Sequence, residues 1–369
     1  MREDFVPTHG GQLRELAVES DLPEASLLDF SASIHPHPPS EFVIDSLCDA
    51  LRERTILTAY PDMHYVALKE AIAAYAQVDA QTISIGSGVM PLLAAALCAL
   101  RPGGCLVPVP AFAEYRGVLN TCGVECRTYI STQKTGFAID AAQVVASLKA
   151  CGARAVLLAN PQSPSGRLMP AEELLRLHEA VSALGAITIV DEAFIDYAPE
   201  SSLSQWAAHS PALVVLRSLT KFFAMPGLRV AYAISCPETR ACMESHIPAW
   251  PVGSIAAETA RMVLQDLTAI AQTRAMNATE RGWLSEKLLA LGLCVFPGAA
   301  NYLLIKIDEG RSGREFWRRL IVEHRIVLRS CENFEGLDEH YFRIAVRTRS
   351  QNELLVRALK EVLAIAPRS

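Results

Sequence analysis

Between about residue 80 and residue 235, short apolar runs alternate with segments of helical periodicity, and this alternation limits the fold more than any other feature. The runs Thr82–Ile85, Cys105–Val109, Glu125–Ile130, Ala153–Leu158, Ala186–Val190, Ala212–Leu216 and Leu228–Ala233 read as strands. Helical patterns over Pro91–Leu100, from the segment opened by Pro110 to Tyr115, and over Ala171–Leu184 fall among them. Such alternation predicts an α/β fold, with a mostly parallel sheet sandwiched by helices. Upstream, Glu41–Thr55 and His64–Ala76 have helical periodicity. After Trp250-Pro251 the pattern changes: Ser254–Leu289 reads as long helix with a break near Asp266–Thr268. Short strands over Cys294–Phe296, Ala300–Ile307, Ile326–Leu328 and Tyr341–Val346, with amphipathic helices Gly313–Glu323 and Ser350–Ala364, make a smaller α+β domain. The expected organisation is an N-terminal arm over residues 1–38, a large domain over 39–252 and a small C-terminal domain over 253–369.

Composition narrows the class. The chain has 369 residues, 51% of them apolar, and a formal charge of -6 with both signs interspersed. That is ample for a large core, and it leaves no footprint for nucleic acid and no polybasic membrane patch. Ten cysteines are scattered without a CxxC pair, and Cys122 with Cys126 fits no common zinc spacing. His35 and His37 sit in a proline-rich turn with no cluster of further ligands, so no metal is expected. The first residues lack the apolar core of a signal peptide, and the run from Pro91 to Leu100 is too short to span a bilayer. A soluble, cytoplasmic protein with reduced thiols is expected.

In a parallel sheet, ligands sit beyond the C-terminal ends of the strands, and the chemistry-bearing residues collect there. Ser218-Leu-Thr-Lys221-Phe-Phe-Ala-Met-Pro-Gly-Leu-Arg229 follows one strand. A lysine in a partly apolar pocket can lose its charge and join an aldehyde as a Schiff base. A nearby arginine and hydroxyl can hold a phosphate. Aldehyde and phosphate on one small cofactor describe pyridoxal 5'-phosphate. Ile85-Gly86-Ser87-Gly88-Val89-Met90 is a strand, glycine turn and helix start, which can bind an anion but often does not. Phe112 after its strand is either core or a wall for a flat ligand. Asn160-Pro-Gln-Ser163-Pro-Ser-Gly166 is a rigid loop. Asp191, directly after a buried strand, is either a helix cap or the partner of a protonated ring nitrogen. Tyr60 lies in the turn Thr58-Ala-Tyr60-Pro61-Asp62, and His9-Gly10-Gly11 is a flexible polar element. Arg329, Arg343, Arg347 and Arg349 lie near strand ends, where they serve either solvated ion pairs or a carboxylate or phosphate in a cleft.

Over nearly its full length the chain resembles the class I/II aminotransferase-like enzymes of pyridoxal-phosphate fold type I. The resemblance rests on Tyr60-Pro61-Asp62, Asn160 to Gly166, Asp191-Glu-Ala, and Ser218-x-x-Lys221 with Arg229. Within them it is most similar to the L-threonine-O-3-phosphate decarboxylase group, then to histidinol-phosphate aminotransferases. That finer likeness rests on His9-Gly10-Gly11, Asp29-Phe-Ser-Ala, Asp191-Glu-Ala-Phe-Ile-Asp and the stretch from Asn333 to Arg349. It implies that Lys221 holds the cofactor and moves protons, and that Asp191 pairs with the ring nitrogen. It implies that Phe112 stacks on the ring, that Ser163 contacts it and the substrate carboxylate, and that the Val89 and Met90 amides, Ser218 and Arg229 cradle the cofactor phosphate. Tyr60 is expected to reach that phosphate from a neighbouring subunit, hence a homodimer. Arg343 is expected on the substrate carboxylate, and His9, Gly10 and Arg329 or Arg347 on the phosphate of a small phosphorylated amino acid. Phe194 stands where histidinol-phosphate aminotransferases usually have tyrosine. Ser163, Ser33, His35, Ser87 and Gly253 stand where the family usually has asparagine, and Ala231 where it has glycine. These departures leave open a related substrate such as O-phosphoserine.

Overall fold

The computed structural model describes residues 5–364. Its strands, in chain order, are β1 (Leu28–Asp29), β2 (Ile83–Gly86), β3 (Gly104–Val109), β4 (Glu125–Ile130), β5 (Ala155–Ala159), β6 (Ile187–Asp191), β7 (Leu213–Ser218), β8 (Ala231–Ile234), β9 (Cys294–Phe296), β10 (Tyr302–Lys306), β11 (Ile326–Val327), β12 (Arg329–Ser330) and β13 (Tyr341–Ala345). Seven form one sheet in the order β2-β8-β7-β6-β5-β3-β4, parallel except for β8, which runs antiparallel to both neighbours. Successive side chains on a strand point to opposite faces. Accordingly Val156, Leu158, Val190, Val215 and Ile234 join one core, while Ala155, Leu157, Ile189, Val214 and Leu216 join another across the sheet. Both faces are buried, which is why these strands read as continuous apolar runs.

The second sheet is antiparallel, β12-β13-β10-β9, and its core includes Phe316, Trp317, Leu303 and Leu355. The residues expected to form an arm pack into this same core. Leu16 and Phe30 are fully buried there, each burial worth roughly 1.5–3 kcal/mol. Strand β1 pairs in parallel with β11, and the Ala345 amide donates to the Phe30 carbonyl. Residues 1–4 of the expected arm lie outside the described residues. The break in the long helix falls at Asp266, between Ser254–Gln265 and Leu267–Ala290; its Oδ1 caps the second helix through the Ala269 amide at 2.9 Å, and its Oδ2 accepts from Ser40 Oγ at 2.6 Å.

The structure adds helices not read from the sequence, among them Leu13–Ser20, Ala141–Cys151 and Pro237–Glu244. Helix Val89–Leu100 begins two residues earlier than its apolar run, because Pro91 sits in the first turn, where no intrahelical donor is needed. Strand β12 is also new: its register sets Arg329 opposite Arg343.

One sheet position breaks the apolar rule. Arg217 on β7 is buried with Asp196, Glu192 and Ser204 around its guanidinium. Tyr75 donates to Asp196 at 2.7 Å, and Ser202 and the Leu203 amide donate to Glu192. Burial pushes the Glu192 carboxyl up to about 7 even beside Arg217. Replacing one partner of such a cluster strands the others without charge compensation. Arg217→Met is therefore expected to lower stability by about 3–5 kcal/mol, read as an earlier urea-unfolding midpoint. Adding Glu192→Gln and Asp196→Asn should recover part of the loss.

Candidate active site

A cavity of about 600 Å³ opens at the C-terminal edge of the large sheet and is closed on its other side by the small sheet and the N-terminal segment. Its walls bring together His9, Gly10, Val89, Met90, Phe112, Ser163, Asp191, Ser218, Lys221, Arg229, Arg329 and Arg343. Neighbouring strand ends do this work. Asp191 pairs in register with Ala159 on β5 and Leu216 on β7, and Ser218 ends β7 opposite Ala231.

Asp191 is a buried carboxylate whose partners are neutral. Tyr115 donates to Oδ2 at 2.6 Å and the Ala193 amide to Oδ1 at 2.9 Å. Burial raises its pKa against those two bonds. It forms no ion pair among the described residues, so a cationic group in the cavity would meet a charge that the protein leaves uncompensated. On the Lys221 ammonium, burial acts first, then the Arg343 and Arg229 charges. Together they bring it down to about 8, against a smaller upward pull from Asp191.

On one side of Lys221 the helix Val89–Leu100 presents its N-terminus. Gly88 holds φ +101°, and a Cβ there would lie 3.0 Å from Arg229 Nη2. The Val89 and Met90 amides, Ser218 and Arg229 thus surround a space suited to a small oxyanion. Phe112 forms a wall edge-on to Tyr115, 5.7 Å between ring centres. On the far side, Phe194 packs edge-on against Tyr302 at 5.0 Å.

The third part is cationic. Arg343 donates to Ser163 Oγ and to the Ser31 carbonyl, each at 3.2 Å, and lies over the Tyr302 ring at 5.0 Å. Its buried Nε has no hydrogen-bond partner. Arg329 donates to the Pro7 carbonyl at 3.2 Å, the Thr8 carbonyl at 2.6 Å and Asn333 Oδ1 at 2.8 Å. Burial brings its pKa down to about 10. Neither guanidinium forms an ion pair with a carboxylate among the described residues. His9 Nε2 lies 3.1 Å from Glu114 Oε1.

A relay places the N-terminal segment against Arg343. Asp29 Oδ1 accepts from the Ser31 amide at 2.7 Å, Ser31 Oγ at 2.6 Å and the Ala32 amide at 3.2 Å. Ser31 Oγ accepts from the Gly11 amide at 2.9 Å. A Cβ on Gly10 would come within 2.2 Å of the Ser31 carbonyl oxygen, so the close approach needs glycine. The sequence marks this relay only by an Asp followed two residues later by Ser, a turn signal within the stretch Asp29-Phe-Ser-Ala.

Some expected residues lie elsewhere. Tyr60 is 80% exposed and stacks on Trp250 at 4.6 Å, outside this cavity. Arg347 does not line it: its guanidinium is desolvated, feels the charge of Asp29, and its Nε has no hydrogen-bond partner. Arg349 pairs with Glu280 at 3.0 Å over the Trp283 ring. Gln162, adjacent to Ser163, is occupied within its loop, donating to the Pro110 carbonyl and accepting from Ser165. His35 and His37 contact each other, and no group of three or more potential metal ligands exists among the described residues. No helix there is long and apolar enough to cross a membrane.

A doubly covered, mostly parallel sheet with a depressed lysine, a buried acid and an anion cradle at its C-terminal edge defines a lysine-centred α/β enzyme. The chain belongs to the class I and II aminotransferase family, whose model matches residues 25–359. It is 35% identical over 368 residues to threonine-phosphate decarboxylase of Salmonella typhimurium, covering 98% of this chain and 99% of that one. It is 26% identical to the adenosylcobalamin biosynthesis bifunctional protein CobDQ of Leptospira interrogans, over 97% of this chain and 41% of that protein. The crystal structure of histidinol-phosphate aminotransferase from Clostridium acetobutylicum matches with a TM-score of 0.84 at 28% identity, covering 92% of this chain and 99% of that one.

The neutral amine is the reactive form of Lys221, and it is populated above the folded pKa. With that pKa near 8, the rate at which apo-protein captures an aromatic aldehyde should rise about fivefold from about pH 7 to 8, and about twofold or less from 8 to 9. A lysine with an ordinary pKa would gain about tenfold over each step. Stopped-flow absorbance separates the two profiles.

Proposed function

We propose that this protein decarboxylates L-threonine O-3-phosphate, giving (R)-1-aminopropan-2-ol O-phosphate and CO2, as a pyridoxal 5'-phosphate enzyme of cobalamin biosynthesis. The observation that carries the reading is the cross-strand pair Arg329 and Arg343, two cavity guanidiniums without carboxylate partners. Two such groups side by side suit a small substrate carrying both a carboxylate and a phosphate. The 35% identity to the Salmonella enzyme over essentially both full lengths points the same way.

The residues present fit the cofactor. Asp191 offers an uncompensated buried charge for a protonated ring nitrogen, and Lys221 offers an amine whose proton is easily lost. The Val89 and Met90 amides with Ser218 and Arg229 would hold its phosphate, and Phe112 its ring face. When bound, the cofactor supplies an electron sink for the pair left on Cα as CO2 departs.

Arg343 fixes the carboxylate end of the substrate, because Ser163, the Ser31 carbonyl and the Tyr302 ring hold its guanidinium in one orientation. Arg329 and His9 hold the phosphate end. Gripped at both ends, the substrate presents its Cα–carboxylate bond at a fixed angle, and bond angle decides between loss of CO2 and loss of the Cα proton. Lys221 Nζ then delivers a proton to Cα. Phe112, Phe194 and Phe334 keep the pocket apolar around the reacting carbon and exclude water.

A homodimer fits this reading. Phe42, Leu57, Tyr60, Met63 and Val66, all from one stretch, are each more than half exposed. A second copy would cover them and bring Tyr60 to the partner's phosphate cradle. All ten cysteines are free, which supports a reducing, cytoplasmic setting.

Holoenzyme given O-phospho-L-threonine should release CO2 and the amino-alcohol phosphate in equal amounts, with no glutamate formed from added 2-oxoglutarate. Glutamate formation from histidinol phosphate without CO2 would instead make it an aminotransferase, and faster turnover of O-phosphoserine would change the substrate. Lys221→Ala should abolish CO2 release and leave no cofactor covalently trapped on the protein by borohydride. Arg343→Lys, which loses the bidentate fork, should lower kcat/KM about 10- to 100-fold, the size of a charge-assisted hydrogen bond.

A further inference from the structure

The cavity is cationic, yet two carboxylates face it, and only one has been given a task. Asp191 lies at the floor. Glu114 lies at the mouth, about half exposed, with its Oε1 3.1 Å from His9 Nε2. We propose that Glu114 is a specificity-determining residue: its carboxylate occupies the His9 imidazole while the cavity is empty and is displaced by a substrate phosphate monoester. The inference rests on the phosphorylated-substrate reading above.

Three observations support it. First, His9 is not free to leave. Arg329 grips the Pro7 and Thr8 carbonyls, and Gln12 Oε1 accepts from the His9 amide at 2.7 Å. An anion bound by both Arg329 and His9 therefore lies within reach of Glu114. Second, the Glu114 carboxylate makes no other hydrogen bond or ion pair among the described residues. Its place in the first turn of helix Glu114–Thr121 is a small, non-specific stabilisation. Third, His9 Nε2 is already taken by Glu114 Oε1 at 3.1 Å, so a phosphate that binds that nitrogen must take the carboxylate's place.

The consequence is discrimination by displacement. A phosphate monoester replaces the carboxylate with a stronger acceptor, whereas an uncharged hydroxyl offers no comparable exchange for the lost contact. The same contact ties the N-terminal segment to the large sheet's side of the cavity. Arg116 and Thr128 bind Glu335, a second tie between the large sheet's side and the small sheet's side.

The test measures inhibition of the holoenzyme by inorganic phosphate, and KM and kcat for O-phospho-L-threonine, in four proteins: wild type, Glu114→Gln, His9→Asn and the double variant. Glu114→Gln should bind phosphate about three- to fivefold more tightly, the size of a half-exposed ion pair. KM should fall with it, while kcat changes less than about twofold. In the His9→Asn background the same substitution should have no effect, because the ring it releases is gone. Unchanged or weaker phosphate binding by Glu114→Gln, or an equal gain with and without His9, overturns the proposal while leaving the function standing. If phosphate does not compete with wild type and phosphothreonine is not turned over, the phosphorylated-substrate reading falls, and this one with it.

Discussion

A carboxylate buried at the end of a central strand is the constraint around which this site is built. Asp191 sits where apolar β6 stops, desolvated, hydrogen-bonded by a phenol and an amide, with the Lys221 charge a smaller support. A folded protein tolerates such a group when something outside the chain completes it. Several neighbouring choices follow. Tyr115 must be fully buried to reach it, so the chain after β3 turns at once into helix Glu114–Thr121. Lys221 forms no ion pair with Asp191, and burial first, then the Arg343 and Arg229 charges, bring its pKa down to about 8. The depressed lysine and the raised acid are thus two results of one desolvated volume.

Directly behind that volume the charges are treated in the opposite way. Glu192 and Asp196 follow Asp191 in the chain but point into the other face, where Arg217, Tyr75, Ser202 and the Leu203 amide satisfy them. Arg274, from helix Leu267–Ala290, donates to the Asp196 carbonyl at 2.8 Å and to Tyr75 at 3.2 Å. A polar network in which both carboxylates are paired, and only Arg217 Nε lacks a partner, therefore joins β6, β7 and the helix leading into the smaller unit. One strand end carries both an incomplete charge and a complete one, and alternation of side chains across the sheet separates them. The paired network supplies rigidity that the incomplete side lacks.

Much of this was legible in the sequence because the strands are buried on both faces and continuous apolar runs need no periodicity to be seen. The mostly parallel sheet and the gathering of Lys221, Asp191, Ser218 and Phe112 at the C-terminal ends of its strands were readable from that pattern, whereas the order of strands and the antiparallel β8 were not. The parts that were not legible depend on partners distant in the chain. Strand β12 is two residues long and carries Arg329, a residue type that argues against a buried strand. Only its register with Arg343 explains it. The segment around Leu16 and Phe30 read as an arm because its few apolar residues cannot form a core alone; they complete one supplied by residues nearly 300 positions away. Arg347 and Arg343 look alike in sequence, four residues apart. Arg343 lies within β13 and faces the cavity, while Arg347 lies beyond the strand and turns toward Asp29.

Asp29 also ties the N-terminal segment to Arg343, the arginine proposed to bind the substrate carboxylate. Its Oδ1 holds Ser31 by two bonds, and Ser31 then faces two ways, taking the Gly11 amide on its hydroxyl and Arg343 on its carbonyl. The segment that carries His9 and the Arg343 guanidinium therefore share one turn. A movement of that segment over the cavity must be felt at Arg343, and the reverse. Because Arg329 holds Pro7 and Thr8 from the opposite side, a short, doubly anionic substrate bound as proposed would be gripped at both ends by one mechanical unit rather than two. Such a unit favours a fixed separation between carboxylate and phosphate. It imposes an orientation on the carbon between them, which is the condition for breaking one chosen bond.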